Sequence, residues 1–254
     1  SVEGVYAKPP ASSIYTLENL TFTINKGDIV GIIGPSAAGK STLARVILGV
    51  WPVQIGTVRI DGADISQWDR EHLGKYIGYL PQDIELFAGT ISENIARFNE
   101  VDSQKVIEAA MKAGVHDMIL RLPEGYDTPI GTAGTVLSGG QRQRIGLARA
   151  IYDNPVFVVL DEPNSNLDEQ GELALLKTVE ELKQSGTTVV IITHRPNILK
   201  VTNKILIMNT GKVERYASTE EILGAVAKQN QSAQTPQRPA QIAPQQINLT
   251  KPGS

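Results

Sequence analysis

The stretch Gly34-Pro35-Ser36-Ala37-Ala38-Gly39-Lys40-Ser41 has residue types and spacing suited to gripping a phosphate. Small residues let the backbone wrap an anion, a lysine at this offset reaches β- and γ-phosphates, and the serine hydroxyl can bind Mg²⁺. The loop follows the apolar run "GDIVGII" and precedes a helix expected from Lys40 to Leu48. Its first turn, Thr42 included, therefore adds unpaired N–H groups and positive potential. A glycine-rich turn that merely starts a helix is the plainer alternative. Ala37 stands where many such loops carry a third glycine, and a single methyl is tolerated there.

Two adjacent carboxylates close the apolar run of "VFVVLDEPNSNLD", at the strand end where α/β sheets place their ligands. One acid could cap a turn. Two are better explained by division of labour: Asp161 holds a Mg²⁺ shell, and Glu162 polarises or deprotonates a water for attack on a γ-phosphate. Pro163 then forces the chain out of the strand. His194 follows "TTVVIIT" in the same way, as a satisfied histidine or, in a nucleotide site, as a γ-phosphate contact. Gln82, after "IGYLP", carries an amide able to bridge Mg²⁺ and the attacking water. A second phosphate-suited stretch, "TVLSGGQRQRIGLARA", opens a basic helix with Ser138, Gly139 and Gly140.

These residues need a frame that gathers strand ends on one edge. Strands are expected at "LENLTFTI" and "GDIVGII", then at Tyr76 to Leu80, Val156 to Leu160, Thr188 to Ile192 and Ile205 to Met208. Helices are expected at Lys40 to Leu48, Ser103 to Ala113, Gln141 to Tyr152 and Glu169 to Gln184. Buried strands alternating with helices predict an α/β fold with a mainly parallel sheet, while the N-terminal strands and "GTVRIDG" look antiparallel. The Ser218–Glu221 spacing fits a capping box that opens a last helix.

With 254 residues, 41% of them hydrophobic, the chain can bury a full core. No run approaches the roughly 18 apolar residues of a membrane span. The absence of cysteine excludes disulfides and thiolate metal sites and fits a cytosolic location. A first residue of serine reads as a fragment or processed chain. The net charge of −3 offers no basic footprint for nucleic acid. After Lys228 the composition turns to Gln and Pro, so residues 229–254 are expected to be a disordered tail. "NLT" at Asn248 in that tail is a chance sequon match.

Taken in order, "GPSAAGKST", "YLPQD", "LSGGQRQR", "VVLDEP", "NLD" and "ITHR" resemble the nucleotide-binding domain of ATP-binding cassette (ABC) transporters, over about residues 1 to 228. The resemblance implies a P-loop NTPase core with an N-terminal antiparallel β subdomain and an α-helical signature subdomain at about residues 83 to 152. ATP and Mg²⁺ are the implied cofactors: Gly34 through Thr42 hold phosphates, Ser41, Gln82 and Asp161 hold the metal, and Glu162, His194 and Gln82 act in hydrolysis. It further implies a second copy packed head to tail. Ser138, Gly139, Gly140 and Gln141 would then meet the γ-phosphate bound to the partner, Asp168 would cross the dimer axis, and the Gln82 loop would couple to a membrane domain. Relatives stack adenine on an upstream aromatic. Tyr6 and Tyr15 are both candidates here, and Ala7 takes the usual place.

"ELFAGTISENIARF" is similar to the exporter pattern, and "LDEPNSNLD" with "YAKPPASS" is similar to the ATPases of type I protein secretion, the protease-exporting branch. That branch implies a transmembrane domain fused upstream, an exported protein substrate with other secretion components, and a place on the cytoplasmic face of the inner membrane. Where exporters commonly show a Glu-Arg pair before the signature, this chain has "GTAG". A competing class uses the same cassette on nucleic acid. Its chromosome proteins insert a long coiled coil between phosphate loop and signature, and its translation factors carry two cassettes; neither feature is present in this sequence. A catalytically dead sensor is disfavoured by intact Lys40, Asp161, Glu162 and His194.

Overall fold

Strands that are apolar on both faces must be covered on both sides, and the computed structural model of the chain, which describes residues 1–131 and 137–225, is built around such a sheet. Its strands are β3 (Ile29–Ile33), β6 (Ile77–Leu80), β9 (Phe157–Asp161), β10 (Thr188–Ile192), β11 (Lys204–Asn209) and β12 (Lys212–Ser218), in the order β12-β11-β3-β10-β9-β6. Pairing is parallel from β11 to β6, and β12 alone runs antiparallel at the edge. Alternation divides the two faces. Val158, Leu160, Val189 and Ile191 enter one apolar cluster, while Val159, Val190, Ile192, Val30 and Ile32 enter the other.

The second sheet is antiparallel, in the order β2-β1-β4-β5: β1 (Val2–Ala7), β2 (Leu17–Phe22), β4 (Ile55–Ile60) and the short β5 (Ala63–Asp64). It packs with helix α1 (Lys40–Ile47) on one face of the parallel sheet. A short α2 (Arg70–Gly74) leads into β6. The opposite face carries α3 (Ile91–Ile95), α4 (Ser103–Lys112), α5 (His116–Leu120), α6 (Gly139–Ile151) and α7 (Glu169–Gln184), with a two-strand ribbon of β7 (Gly89–Thr90) and β8 (Pro129–Ile130) beside them. One turn, α8 (Pro196–Leu199), follows β10.

The expected α/β architecture is therefore present, with an antiparallel N-terminal sheet and a helical region around α6. Element ends differ by one or two residues. The helix α6 starts at Gly139, two residues before the expected Gln141, because Ser138 is its N-cap. Ser218 donates half of the anticipated capping box, accepting the Glu221 N–H at 3.2 Å; the Glu221 carboxylate turns to Arg215 instead. Most of "GTAG" and the Gln/Pro-rich segment lie outside the described residues.

The Arg97 side chain helps tie the helical layer to the sheet. Arg97, with φ +57°, sends its guanidinium to five carbonyls: Arg149 (2.9 Å), Gly74 (2.8 Å), Ile77 (2.9 Å), Ala150 (3.0 Å) and Tyr152 (3.4 Å). Three of these are C-terminal carbonyls of α6, which have no helical partner of their own. Burial, with the charge of Arg149 nearby, lowers the Arg97 pKa, so the fork is held at a desolvation cost that its hydrogen bonds must offset. Arg97→Met leaves those carbonyls unpaired and is expected to cost about 3 kcal/mol of unfolding free energy in urea titration. A loss under about 1 kcal/mol would show that water or repacking satisfies them.

Candidate functional site

The phosphate loop bridges the end of β3 and the start of α1, and its backbone explains its glycines. Gly34 has φ +154°, and a Cβ there would lie 2.2 Å from the Met208 carbonyl oxygen. Gly39, at φ +93°, caps α1 without a side-chain bond, and its missing Cβ leaves room for Leu17 and the Thr16 carbonyl. Ala37 also sits in the left-handed region, at φ +63°, so the methyl tolerated there carries strain of about 1 kcal/mol. No acid occupies the first turn of α1, so its N-terminal amides keep their positive potential. The buried Lys40 Nζ donates to the Gly34 and Pro35 carbonyls, both at 2.9 Å, and is thereby held across the loop.

Register brings the other candidates to the same edge. Leu80 pairs with Leu160 and Ile192 with Asp161, so Gln82, Asp161, Glu162 and His194 all leave neighbouring strands together. Asp161 is fully buried, and among the described residues neither carboxylate oxygen has a hydrogen-bond partner. Burial pushes its pKa above the ordinary carboxylate value. The Ser41 hydroxyl pulls the other way, the Glu162 charge adds to the rise, and Arg45 and Lys40 offset part of it. Two unpaired oxygens beside a hydroxyl form a hard oxygen set of the kind a divalent cation such as Mg²⁺ takes. Gln82 is exposed at the end of β6.

Glu162 has φ +51°, a conformation that costs a branched or acidic residue about 1–2 kcal/mol. Its N–H donates to the Ile192 carbonyl at 2.9 Å, and its carbonyl accepts from Ser165 N and Gln143 Nε2, both at 3.1 Å. The carboxylate meets His194 Nε2 at 3.1 Å; the histidine side chain is 53% exposed and that of Glu162 17%, so the pair faces outward through the imidazole. Thr193 Oγ1 donates to Asn164 Oδ1 at 3.0 Å and fastens the loop after Glu162 to the end of β10. In the sequence Asn164 stands out only as larger than the usual small residue of this loop, and Gln143 carries no signal, because the partners of both are chosen by tertiary contact.

The Ser138 region packs against the loop that follows Glu162, with Gly139 and Gly140 beside Asn166. Ser138 Oγ accepts the Gln141 N–H at 3.2 Å, while Gln141 Oε1 accepts the Ser138 N–H at 2.8 Å, a reciprocal capping box. The Gln141 side chain is thus occupied within its own helix. Asp168, read as an inter-subunit residue, N-caps α7 through the Gly171 N–H at 2.8 Å and pairs with Arg144 at 2.7 Å. These bonds, the Gly171 one first, keep its pKa low. Tyr6 lies in β1 with its ring edge-on to Tyr15, centroids 5.7 Å apart; Tyr15 is 40% exposed and adjoins Thr16, which packs on Gly39.

The ABC transporter family profile matches residues 17–165. The chain is 51% identical over 232 residues to the type I secretion system ATP-binding protein PrsD of Rhizobium meliloti (strain 1021), an alignment covering 91% of this chain and 40% of that protein. It is 39% identical over 208 residues to the alpha-hemolysin translocation ATP-binding protein HlyB of Escherichia coli, covering 82% and 29%. Among solved structures it is similar to a bacterial Atm1-family ABC exporter with ATP bound, with a TM-score of 0.81, 33% identity and coverage of 91% of this chain and 41% of that one. The chain spans less than half the length of each of these relatives. No described helix is long and apolar enough to cross a membrane.

Two expectations follow from the geometry alone. An acid whose pKa rises on folding binds its proton more tightly in the folded chain, so stability declines as pH climbs through the window above its ordinary value. Asp161→Asn should therefore raise the Tm at about pH 7, with the gain fading once pH drops below the ordinary carboxylate range of about 4. A Tm at neutral pH equal to or below that of the unsubstituted chain contradicts the desolvation account. The signature glycines should also behave differently. A Cβ on Gly140 would lie 2.8 Å from the Asn166 carbonyl oxygen, whereas one on Gly139 meets only the Asn166 side chain, at 3.3 Å. Gly140→Ala should lower thermal stability and Gly139→Ala should leave it level or raise it, helped by about 1 kcal/mol of helix propensity; equal effects would refute the packing explanation.

Proposed function

The chain belongs to the ABC transporter family, and on that premise we propose that residues 1–228 are the ATP-binding and hydrolysing motor domain of an exporter of the type I protein secretion class. The observation that carries the reading is the buried, unpaired Asp161 beside Ser41, flanked on one side by the phosphate loop and on the other by the Glu162–His194 pair. The chemistry needed for phosphoanhydride hydrolysis is gathered on one sheet edge. The 51% identity to PrsD supports the secretion class.

Loop amides and Lys40 hold the β- and γ-phosphates. Asp161 and Ser41 would hold Mg²⁺, which when bound would supply charge neutralisation for the phosphates, and the exposed amide of Gln82 would orient the attacking water. Glu162 takes the proton of that water. The imidazole of His194 holds the carboxylate in line and turns its exposed edge to the γ-phosphate. Tyr15, exposed and next to the loop, is better placed than Tyr6 to stack on adenine.

The motor works as a head-to-tail pair with two composite sites. What favours this is the α6 N-terminus: Ser138 is exposed, no acid lies in the first turn, and two arginines follow. Such an end attracts phosphate, and it belongs to a helix start other than that of the phosphate loop. A transmembrane domain in the same polypeptide, an exported protein and further secretion components complete the partners. The domain then sits at the cytoplasmic face of the inner membrane.

Glu162→Gln tests the assignment. It should lower ATP turnover at least about a hundredfold while still binding ATP, and should accumulate as an ATP-dependent dimer in light scattering. Turnover near the parent rate removes Glu162 as base, and a nucleotide-loaded monomer removes the composite site.

A further inference from the structure

One buried amide is not accounted for by binding or hydrolysis. Gln143 lies one turn into α6 and is 1% exposed. Its Nε2 donates to the Glu162 carbonyl at 3.1 Å, and its Oε1 accepts from Ser165 Oγ at 3.2 Å and from Asn166 Nδ2 at 3.1 Å. Three of the four hydrogen-bonding positions of the amide are thereby spent on the chain from Glu162 to Asn166. A glutamine chosen only to fill space in this layer would leave such bonds to chance, and a buried polar side chain is costly without them.

The bond matters because of the backbone it meets. Glu162 stands at φ +51°, a state that persists only when surrounding bonds over-determine it. On its N-terminal side the Ile192 carbonyl holds the peptide at the end of β10. On its C-terminal side the Ser165 N–H closes a local turn, and among the described residues Gln143 is the side chain that bonds the Glu162 carbonyl itself, while Thr193 holds Asn164 further along. Rotation of this peptide would swing the carboxylate away from His194, now 3.1 Å distant. The same helix clasps the far end of the loop, where Arg144 pairs with Asp168 at 2.7 Å, so the whole segment from base to α7 is strapped to α6.

We propose that Gln143 is a positioning residue for hydrolysis: it fixes the Glu162 backbone in its strained conformation and ties the aim of the base to the seating of the signature helix in the same chain. The inference rests on the reading of Glu162 as base. Gln143, 1% exposed, acts through the Glu162 carbonyl and not at the reacting atoms.

The experiment compares the intact protein with Gln143→Met, which keeps length and volume but removes the amide, and with Glu162→Gln as control. The expected result is a fall in kcat of about thirtyfold with KM for ATP changed less than about twofold, because the aim of a group is lost and the phosphate loop is untouched. A kcat within about twofold of the parent, in a protein that melts cooperatively, overturns the inference. Equal losses in kcat and ATP affinity overturn it as well, since they describe general disruption. Should Gln143→Met not fold, Ser165→Ala with Asn166→Ala, at two exposed positions, frees the amide oxygen. That pair should lower kcat several-fold at constant KM, and an unchanged kcat is again fatal. An inert parent or an active Glu162→Gln would instead defeat the proposed function, so the two failures are separable.

Discussion

A carboxylate held out of water, with no hydrogen-bond partner on either oxygen among the described residues and the Ser41 hydroxyl beside it to ease its charge, is the constraint around which this chain is arranged. Isolated burial of such a group is expensive, and folding relieves it wherever the backbone can yield. Here the backbone cannot. Asp161 ends a strand that is paired on both sides, to β6 and to β10, and Val158, Val159 and Leu160 before it are fully buried on alternating faces. Lys40 and Arg45 of α1 lower the cost by charge without making a bond. The surrounding apolar layers therefore stabilise a local arrangement that is unfavourable in isolation, the usual relation between a scaffold and a metal-ready site.

The two phosphate-suited helix starts solve different problems. At α1 the loop keeps every N-terminal donor available: glycine in the left-handed region replaces a capping side chain, and no acid competes for the amides. At α6 the Ser138–Gln141 box satisfies two donors internally, leaving the amides of Gly139 and Gly140 as the free ones. The first is a wrap that can enclose an anion alone. The second offers two donors and, in the proposed pair, would take the rest of its site from the other copy. Its glycines also serve packing, since the Asn166 carbonyl fills the space a Cβ on Gly140 would need.

Where chemistry depended on short-range spacing, the sequence was readable. The phosphate loop, the acids after β9 and the strand-end histidine lie where spacing places them, because each is set by a strand followed directly by a turn. The parallel sheet was legible for the same reason. β1 was not: register shifts between Val2, Val5 and Ala7 carry those residues to one buried side at spacings of three and two, which erases the alternation that marks a strand. The five-residue helices α3 and α5 are too short to show a period. Arg97 was invisible because its partners are backbone carbonyls many positions away, and carbonyls carry no residue type; Gln143 was invisible because its partners lie about twenty positions on, in a loop that only the fold brings to it. The Gln141 side chain was assigned outward from the motif alone, while its distance of three from Ser138 already described a capping box.

The hydrogen bonds of α6 bear on how two sites in a proposed head-to-tail pair can be independent. The helix presents its free amides at one end and, a turn later, holds the Glu162 carbonyl of its own chain. Any shift of α6 toward a partner's phosphate is transmitted through an amide with no slack, because both of its ends are bonded. Arg144 and Asp168 add a second rigid link along the same loop. A helix strapped at two points to the segment that aims the base cannot move without moving that segment. In the proposed pair, engagement at one site would be felt as a change of aim at the other, and the strain at Glu162 would supply a backbone with somewhere to relax when the strap is released.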